Sequence, residues 1–148
     1  MTAPTFHLAL TTGSTASAPS AAENGFVSGH VRLLLRLEGL AAFATALAIY
    51  GYNDFSWAAF AVFFLAPDLL MLAYLAGPRA GALGYNLVHT YVLPLALVCF
   101  GYFAGAPIAA ASGLIWIAHI GFDRALGYGL KYQTAFGDTH LGGVGRRH

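Results

Sequence analysis

Polar residues in this chain fall in short punctuating runs, and four apolar stretches lie between them. Each is about the 20 residues that a membrane-crossing helix needs. They run from Leu33 to Tyr52, Phe55 to Ala76, Ala80 to Phe103 and Pro107 to Tyr128. The links are Asn53-Asp54, Gly77-Pro78-Arg79 and Ala104 to Ala106. Gly and Pro there break helices, and links this short force antiparallel neighbours. The pattern therefore predicts an all-α fold, an integral membrane up-down four-helix bundle over residues 31–131. A water-soluble bundle would need polar stripes at helical spacing, and stretches such as Leu87 to Phe103 carry none. The two halves show no internal repeat.

Composition strengthens this reading. Apolar residues make up 58% of the 148 and charged residues 9%, against about 25% charged in soluble domains. The net charge of +1 comes without a basic block, so nothing marks a nucleic-acid partner. The lone Cys99 excludes an internal disulfide and a multi-cysteine metal site. Residues 1–30 differ: Thr11 to Asn24 is rich in Ser, Thr and Ala and is expected to be a disordered tail. With no Lys or Arg before a hydrophobic core, it does not read as a signal peptide. Arg32 and Arg36 precede the first stretch, Arg79 lies between the second and third, and Lys131, Arg146 and Arg147 follow the fourth. The other two links carry no cation, so both termini are expected in the cytoplasm, with 132–148 as a cytoplasmic tail.

On this topology the intramembrane polar groups gather at one depth. Glu38, Asp68, Asn86, His89, His119, Asp123 and Arg124 all fall roughly 5–15 Å from the cytoplasmic boundary at the rise of an α-helix. His119 and Asp123 are four apart and share a face with Trp116, while Tyr85 and Asn86 share one with His89. Ionisable groups at such depth face a bundle interior and mark function by default. The candidate catalytic residues are therefore His119, Asp123, His89, Asp68 and Glu38. Asn86, Arg124, Tyr85 and Trp116 are the candidate substrate-binding residues. No cofactor is identified. Even so, His89 and His119 with a carboxylate such as Asp68 form a ligand set that suits zinc or non-haem iron. Pro67 and Pro94 are expected to loosen their helices and free the carbonyls of Phe63 and Thr90. The bland alternative is structural: Glu38, Asp68 and Asp123 pair with Arg36, Arg79 and Arg124, and the histidines only glue helices together. For Glu38 beside Arg36, near a helix end, pairing or snorkelling is the simpler account.

Other motifs carry little. Gly127-Tyr128-Gly129 echoes a potassium-filter triplet but sits at a helix end with no re-entrant segment. Gly81-x-x-Gly84 and Ala109-x-x-x-Gly113 are small-residue packing faces. No phosphate loop, haem-attachment motif or serine-nucleophile elbow is present. After the last stretch, Asp138 and His140 either fold back over the mouth of the polar cluster or belong to an interfacial tail anchored by Tyr132 and Phe136.

The runs Leu35-Arg36-Leu37-Glu38-Gly39, Phe64-Leu65-Ala66-Pro67-Asp68, Tyr85 to Tyr91, His119 to Lys131 and Asp138-Thr139-His140-Leu141-Gly142 together resemble a bacterial family of small membrane proteins, domain of unknown function 4260. The resemblance covers residues 33–142 and departs at Gly137, where the family usually has Lys or Arg. It implies a bacterial cytoplasmic (inner) membrane, multi-pass, and brings no activity. Three readings stay open. One is a membrane-embedded enzyme acting on a lipid, isoprenoid or quinone-like molecule by acid–base or metal-assisted chemistry. Another is a transport, proton-path or binding module completed by a homo-oligomer, although four helices are narrow for a monomeric transporter. The third is a structural or assembly protein.

Overall fold

The computed structural model describes residues 26–133 and 136–143. Of the expected disordered tail of residues 1–30, residues 1–25 lie outside the described residues, as do Arg146 and Arg147 of the orientation argument, while the tail's last two residues, Gly29 and His30, already belong to the first helix. Helix α1 spans Gly29–Tyr52 and α2 spans Trp57–Phe63, followed by a 3-10 segment Ala66–Ala76. Then come α3 (Pro78–Val88), α4 (Val92–Phe103) and α5 (Pro107–Leu126). Two-residue strands β1 (Asp138–Thr139) and β2 (Gly142–Gly143) pair antiparallel, a small departure from the expected all-α fold.

Two of the apolar stretches break where their prolines stand. Pro67 has no N–H to offer the carbonyl of Phe63, and its ring crowds that turn. There α2 ends, and the chain continues as a tighter helix with Asp68 in its first turn. Pro94 has the same effect on the carbonyl of Thr90. Accordingly α3 stops at Val88, and α4 restarts at Val92 with Pro94 in its first turn, where a missing N–H costs nothing. His89, Thr90 and Tyr91 form the break. The expected loosening is thus a full interruption at both prolines.

Among the described residues, three helical units are long and apolar enough to cross a membrane: Gly29–Tyr52, Trp57–Ala76 and Pro78–Phe103. Their large side chains point outward: Leu75 is 89% exposed and Phe103 92%. Monomers in water do not present so much contiguous apolar surface. Helix α5 is 20 residues long, but its polar residues lower its hydropathy, and it is the buried one. Ala110, Gly113, Leu114, Ile115, Ala118, His119, Ile120 and Gly121 are all shielded.

Helix α5 is the axis against which α1 and α4 pack. The approach is close because glycines meet backbone. A Cβ on Gly121 would lie 2.7 Å from the Phe43 nitrogen and 2.8 Å from the Gly39 oxygen. One on Gly113 would lie 2.7 Å from the Pro94 oxygen. Lipid offers no hydrophobic drive between helices, so such close contact is what holds them. Ala46, Tyr50, Leu114, Ile115 and Ala118 make a hydrophobic core between α1 and α5, ringed by Phe43, Phe55, Phe60 and Phe64.

Helix α5 ends at Gly127, whose φ of 100° lets its N–H and that of Tyr128 reach back to the Asp123 carbonyl. The following chain folds back rather than trailing away. His140 N–H donates to the Leu130 carbonyl, Leu130 N–H donates to His140 Nδ1 at 2.8 Å, and Val27 N–H donates to the His140 carbonyl. Leu141 is fully buried.

Candidate metal centre

The two breaks and the buried axis bring four side chains together. Asp68 follows the first break, His89 opens the second, and His119 and Asp123 lie one turn apart on α5. One ligand atom from each lies within 4.8 Å of all the others. His89 Nε2 is 3.1 Å from His119 Nε2, 3.4 Å from Asp68 Oδ1 and 3.5 Å from Asp123 Oδ2. His119 Nε2 is 3.4 Å from Asp68 Oδ1 and 3.8 Å from Asp123 Oδ2. A tetrahedral ion with bonds of about 2.0–2.2 Å holds its ligands about 3.3–3.6 Å apart. Five of the six spacings, 3.1–3.8 Å, lie near that range and the two carboxylates stand farther apart, within 4.8 Å. Two imidazoles with two carboxylates are a donor set for a divalent transition metal.

The protonation of His89 is fixed by its neighbour. Its Nδ1 lies 2.9 Å from the Tyr85 carbonyl, which can only accept. Nδ1 therefore carries the proton, and the Nε2 lone pair faces His119 and the carboxylates. The ring also stacks on Tyr85, with centroids 3.6 Å apart. Two ring nitrogens 3.1 Å apart, both buried, need a proton or a cation between them. Asp123 accepts a hydrogen bond from the Tyr85 hydroxyl at 3.2 Å, which holds its carboxylate toward the centre. His119 is braced edge-on by Phe64, and its Nδ1 is buried without a partner.

At the second break Val88 O takes the Trp116 indole N–H at 2.6 Å and His89 O takes Arg124 at 3.0 Å, while Tyr85 O accepts both the backbone N–H and Nδ1 of His89. Trp116 and Arg124 thus brace the break through these bonds, and each also lines a cavity, Trp116 the apolar one and Arg124 the one that holds Glu38. Asn86 exchanges two hydrogen bonds with the Lys131 backbone, at 2.8 and 2.7 Å, and so pins the returning chain. Glu38 does not join the four. It lines a separate cavity with Tyr91, Arg124 and His140. Among the described ion pairs, each joins Asp68 or Asp123 to a histidine and none uses Arg36, Arg79 or Arg124. Arg36 instead donates to the Ala125 carbonyl at 2.8 Å.

Two cavities flank the centre. The polar one, about 300 Å³, is lined by Asp68, Asp123, Tyr85, Lys131, Phe136 and Thr139. The returning chain therefore does cover the cluster, but through Lys131, Phe136 and Thr139; His140 faces the Glu38 cavity. The apolar one, about 280 Å³, is lined by Phe63, Pro67, Leu70, Val88, Ile115 and Trp116. Asp68 and Asp123 themselves line the polar cavity, whereas the apolar one is lined by Pro67 and Val88, the chain neighbours of Asp68 and His89.

Lys131 was legible only as a topology charge, yet it is buried at the polar cavity. Its ammonium donates to the Phe136 carbonyl at 3.1 Å and lies 3.4 Å from that ring's centre and 4.8 Å from Tyr85's. Burial lowers its pKa from the usual lysine value, opposed by the charges of Asp123 and Asp68. The available signal was that Lys131 is the chain's single lysine, placed where the last stretch ends. Burial, then Arg124, lowers the pKa of His140, whose Nδ1 must stay unprotonated to accept from Leu130.

The family described as a domain of unknown function (DUF4260) matches residues 32–144. No curated protein and no solved structure matches the chain.

Proposed function

The chain belongs to the DUF4260 family, whose description assigns no activity, and we propose that it is a multi-pass inner-membrane metalloenzyme. In this reading Asp68, His89, His119 and Asp123 bind one divalent ion, such as zinc or iron(II). The ion supplies Lewis-acid polarisation and an activated water for chemistry on a lipid-like substrate. One observation carries the proposal: the convergence of four ligand atoms within 4.8 Å, with the His89 lone pair turned inward by the Tyr85 carbonyl. The apolar cavity beside the centre supports a substrate with a hydrocarbon portion, and the polar cavity supports one with a headgroup.

The same reading makes α5 the fourth crossing, enclosed by the other helices, so that its polar face meets the centre instead of lipid. Both termini then lie in the cytoplasm, on the side marked by Arg32, Arg36, Arg79 and Lys131. The centre would sit in the inner-leaflet half, reachable from the cytoplasm and from the acyl chains.

Metal analysis of the full-length protein in detergent tests this. After chelation and reloading with Zn²⁺, the wild type should retain about one ion per chain. His119→Ala and Asp123→Asn should each lose it while still inserting into the membrane. A wild type that retains no divalent ion, or a His119→Ala variant that retains as much as the wild type, would refute the proposal.

A further inference from the structure

Lys131 holds a place that the metal reading leaves unexplained. Asp68 and Asp123 carry two negative charges, which a divalent ion cancels. Arg124, a half-buried cation near the centre, shares its cavity with Glu38 and is spent on the carbonyls of His89 and Tyr128. Lys131 lines the same polar cavity as the two carboxylates, and its ammonium lies against the rings of Phe136, Tyr85 and Tyr74. It is 8% exposed, and no described ion pair involves it. Of its three N–H donors one reaches the Phe136 carbonyl. Its body is fixed by the Asn86 pair to its backbone and by the Lys131–Thr139 bridge, so the ammonium is held beside the cavity rather than free to leave. A buried cation with one hydrogen bond, lining a cavity whose two carboxylates a bound metal would neutralise, is stabilised by an anion.

We propose that the polar cavity is an anion subsite, in which Lys131 and the metal together hold an anionic oxygen headgroup, a phosphate ester or phosphate itself. This deepens the metalloenzyme reading and rests on it. The volume of about 300 Å³ accommodates a headgroup and little more, because pockets that enclose whole drug-sized ligands run upward from that size. Any hydrocarbon portion must then lie outside this cavity. The substrate class is an amphiphile with an anionic head, or the free anion.

The test uses full-length protein in a neutral detergent, loaded with Co²⁺, whose visible bands report its ligands. Inorganic phosphate should shift those bands saturably. Lys131→Gln should keep Co²⁺ affinity within about threefold and weaken phosphate by about 10–100-fold, the usual loss for a charge-assisted hydrogen bond. A second measurement does not depend on the variant folding. Lys131 is the only lysine, so its acylation can be followed by mass spectrometry, and phosphate should slow it at least tenfold in the loaded protein. Dihexanoyl phosphatidate separates the sources. Binding tenfold tighter than phosphate identifies a lipid headgroup, and equal binding identifies the free anion. Co²⁺ bands that ignore both ligands, with lysine acylation unprotected, overturn this inference and leave the metal reading intact. Absence of Co²⁺ bands in the wild type overturns both.

Discussion

Replacing Asp68 with Asn separates a metal centre from an ordinary polar network, because the two accounts differ in the sign of the effect. The carboxylates of Asp68 and Asp123 approach within 4.8 Å. Two like charges at that separation repel by about 3.5 kcal/mol at an effective dielectric of 20. The Asp68 side chain is 36% exposed, so water reduces the figure to about 1–2 kcal/mol. At pH 8 metal-free imidazoles are ordinarily neutral and cannot offset the repulsion. Asn removes the charge and keeps the shape. The metal-free variant should therefore melt about 2–8 °C above the metal-free wild type, using about 2–4 °C per kcal/mol for a chain of this size. Metal reverses the order. At 100 times its Kd an ion stabilises the wild type by about 2.7 kcal/mol, a rise of about 5–10 °C, and the variant should gain little. The assay is thermal unfolding in detergent, with chelator and with Zn²⁺. An Asp68→Asn protein that melts lower without metal, or gains as much from metal as the wild type, would show that Asp68 is a structural partner of the histidines and defeat the reasoning.

Other outcomes follow from the same geometry. Stability should fall as pH drops below about 6.5, the unfolded value for histidine, because folding lowers the pKa of His140 and the unfolded chain then binds the extra proton. His140→Asn, which keeps an acceptor for Leu130, should flatten that part of the melting-temperature profile; an unchanged profile would remove His140 from the account. Gly121→Ala should cost about 1–3 kcal/mol by pushing α1 off α5, and a melting temperature within 1 °C of the wild type would show that the contact is slack. Reporter fusions at residue 30 and after Gly142 should read cytoplasmic, and insertions at Asn53 and Gly105 external. A periplasmic C-terminus would invert the topology.

Four of the nine site residues singled out in the sequence are those that converge, and depth explains why they were legible. Helical rise converts residue number into height, so Asp68, His89, His119 and Asp123 could be placed on one level before any contact was known. Rotation about the helix axis is not given in that way. Glu38 shares the level, but the next residue, Gly39, is pressed against the Arg124–Ala125 turn of α5. That contact fixes the rotation of α1 and turns Glu38 toward Tyr91 and His140. A three-atom approach between two glycine-bearing helices is a tertiary fact without a local signal. The prolines marked where the second and third stretches would weaken. How far each would break depended on the donors that claim the freed carbonyls, and Trp116 and Arg124 come from a different helix. Lys131 was hidden for a related reason. Its burial comes from Asn86 and Phe136, and no property of the Tyr128 to Gln133 run foretells it.

The break at His89–Tyr91 has a mechanical meaning. Interrupted membrane helices commonly serve as joints about which one half swings against the other. Here the loose end is fastened by three bonds, from the His89 ring, the Trp116 indole and the Arg124 guanidinium. Releasing all three costs several kcal/mol at about 1–3 kcal/mol each, which leaves a bent form below about 1% of the population. The interruption therefore behaves as a weld. The chain that returns over the polar cavity is tied down as well, through Asn86 to Lys131, Leu130 to His140 and Val27 to His140, so neither the joint nor its cover can swing without several hydrogen bonds breaking at once.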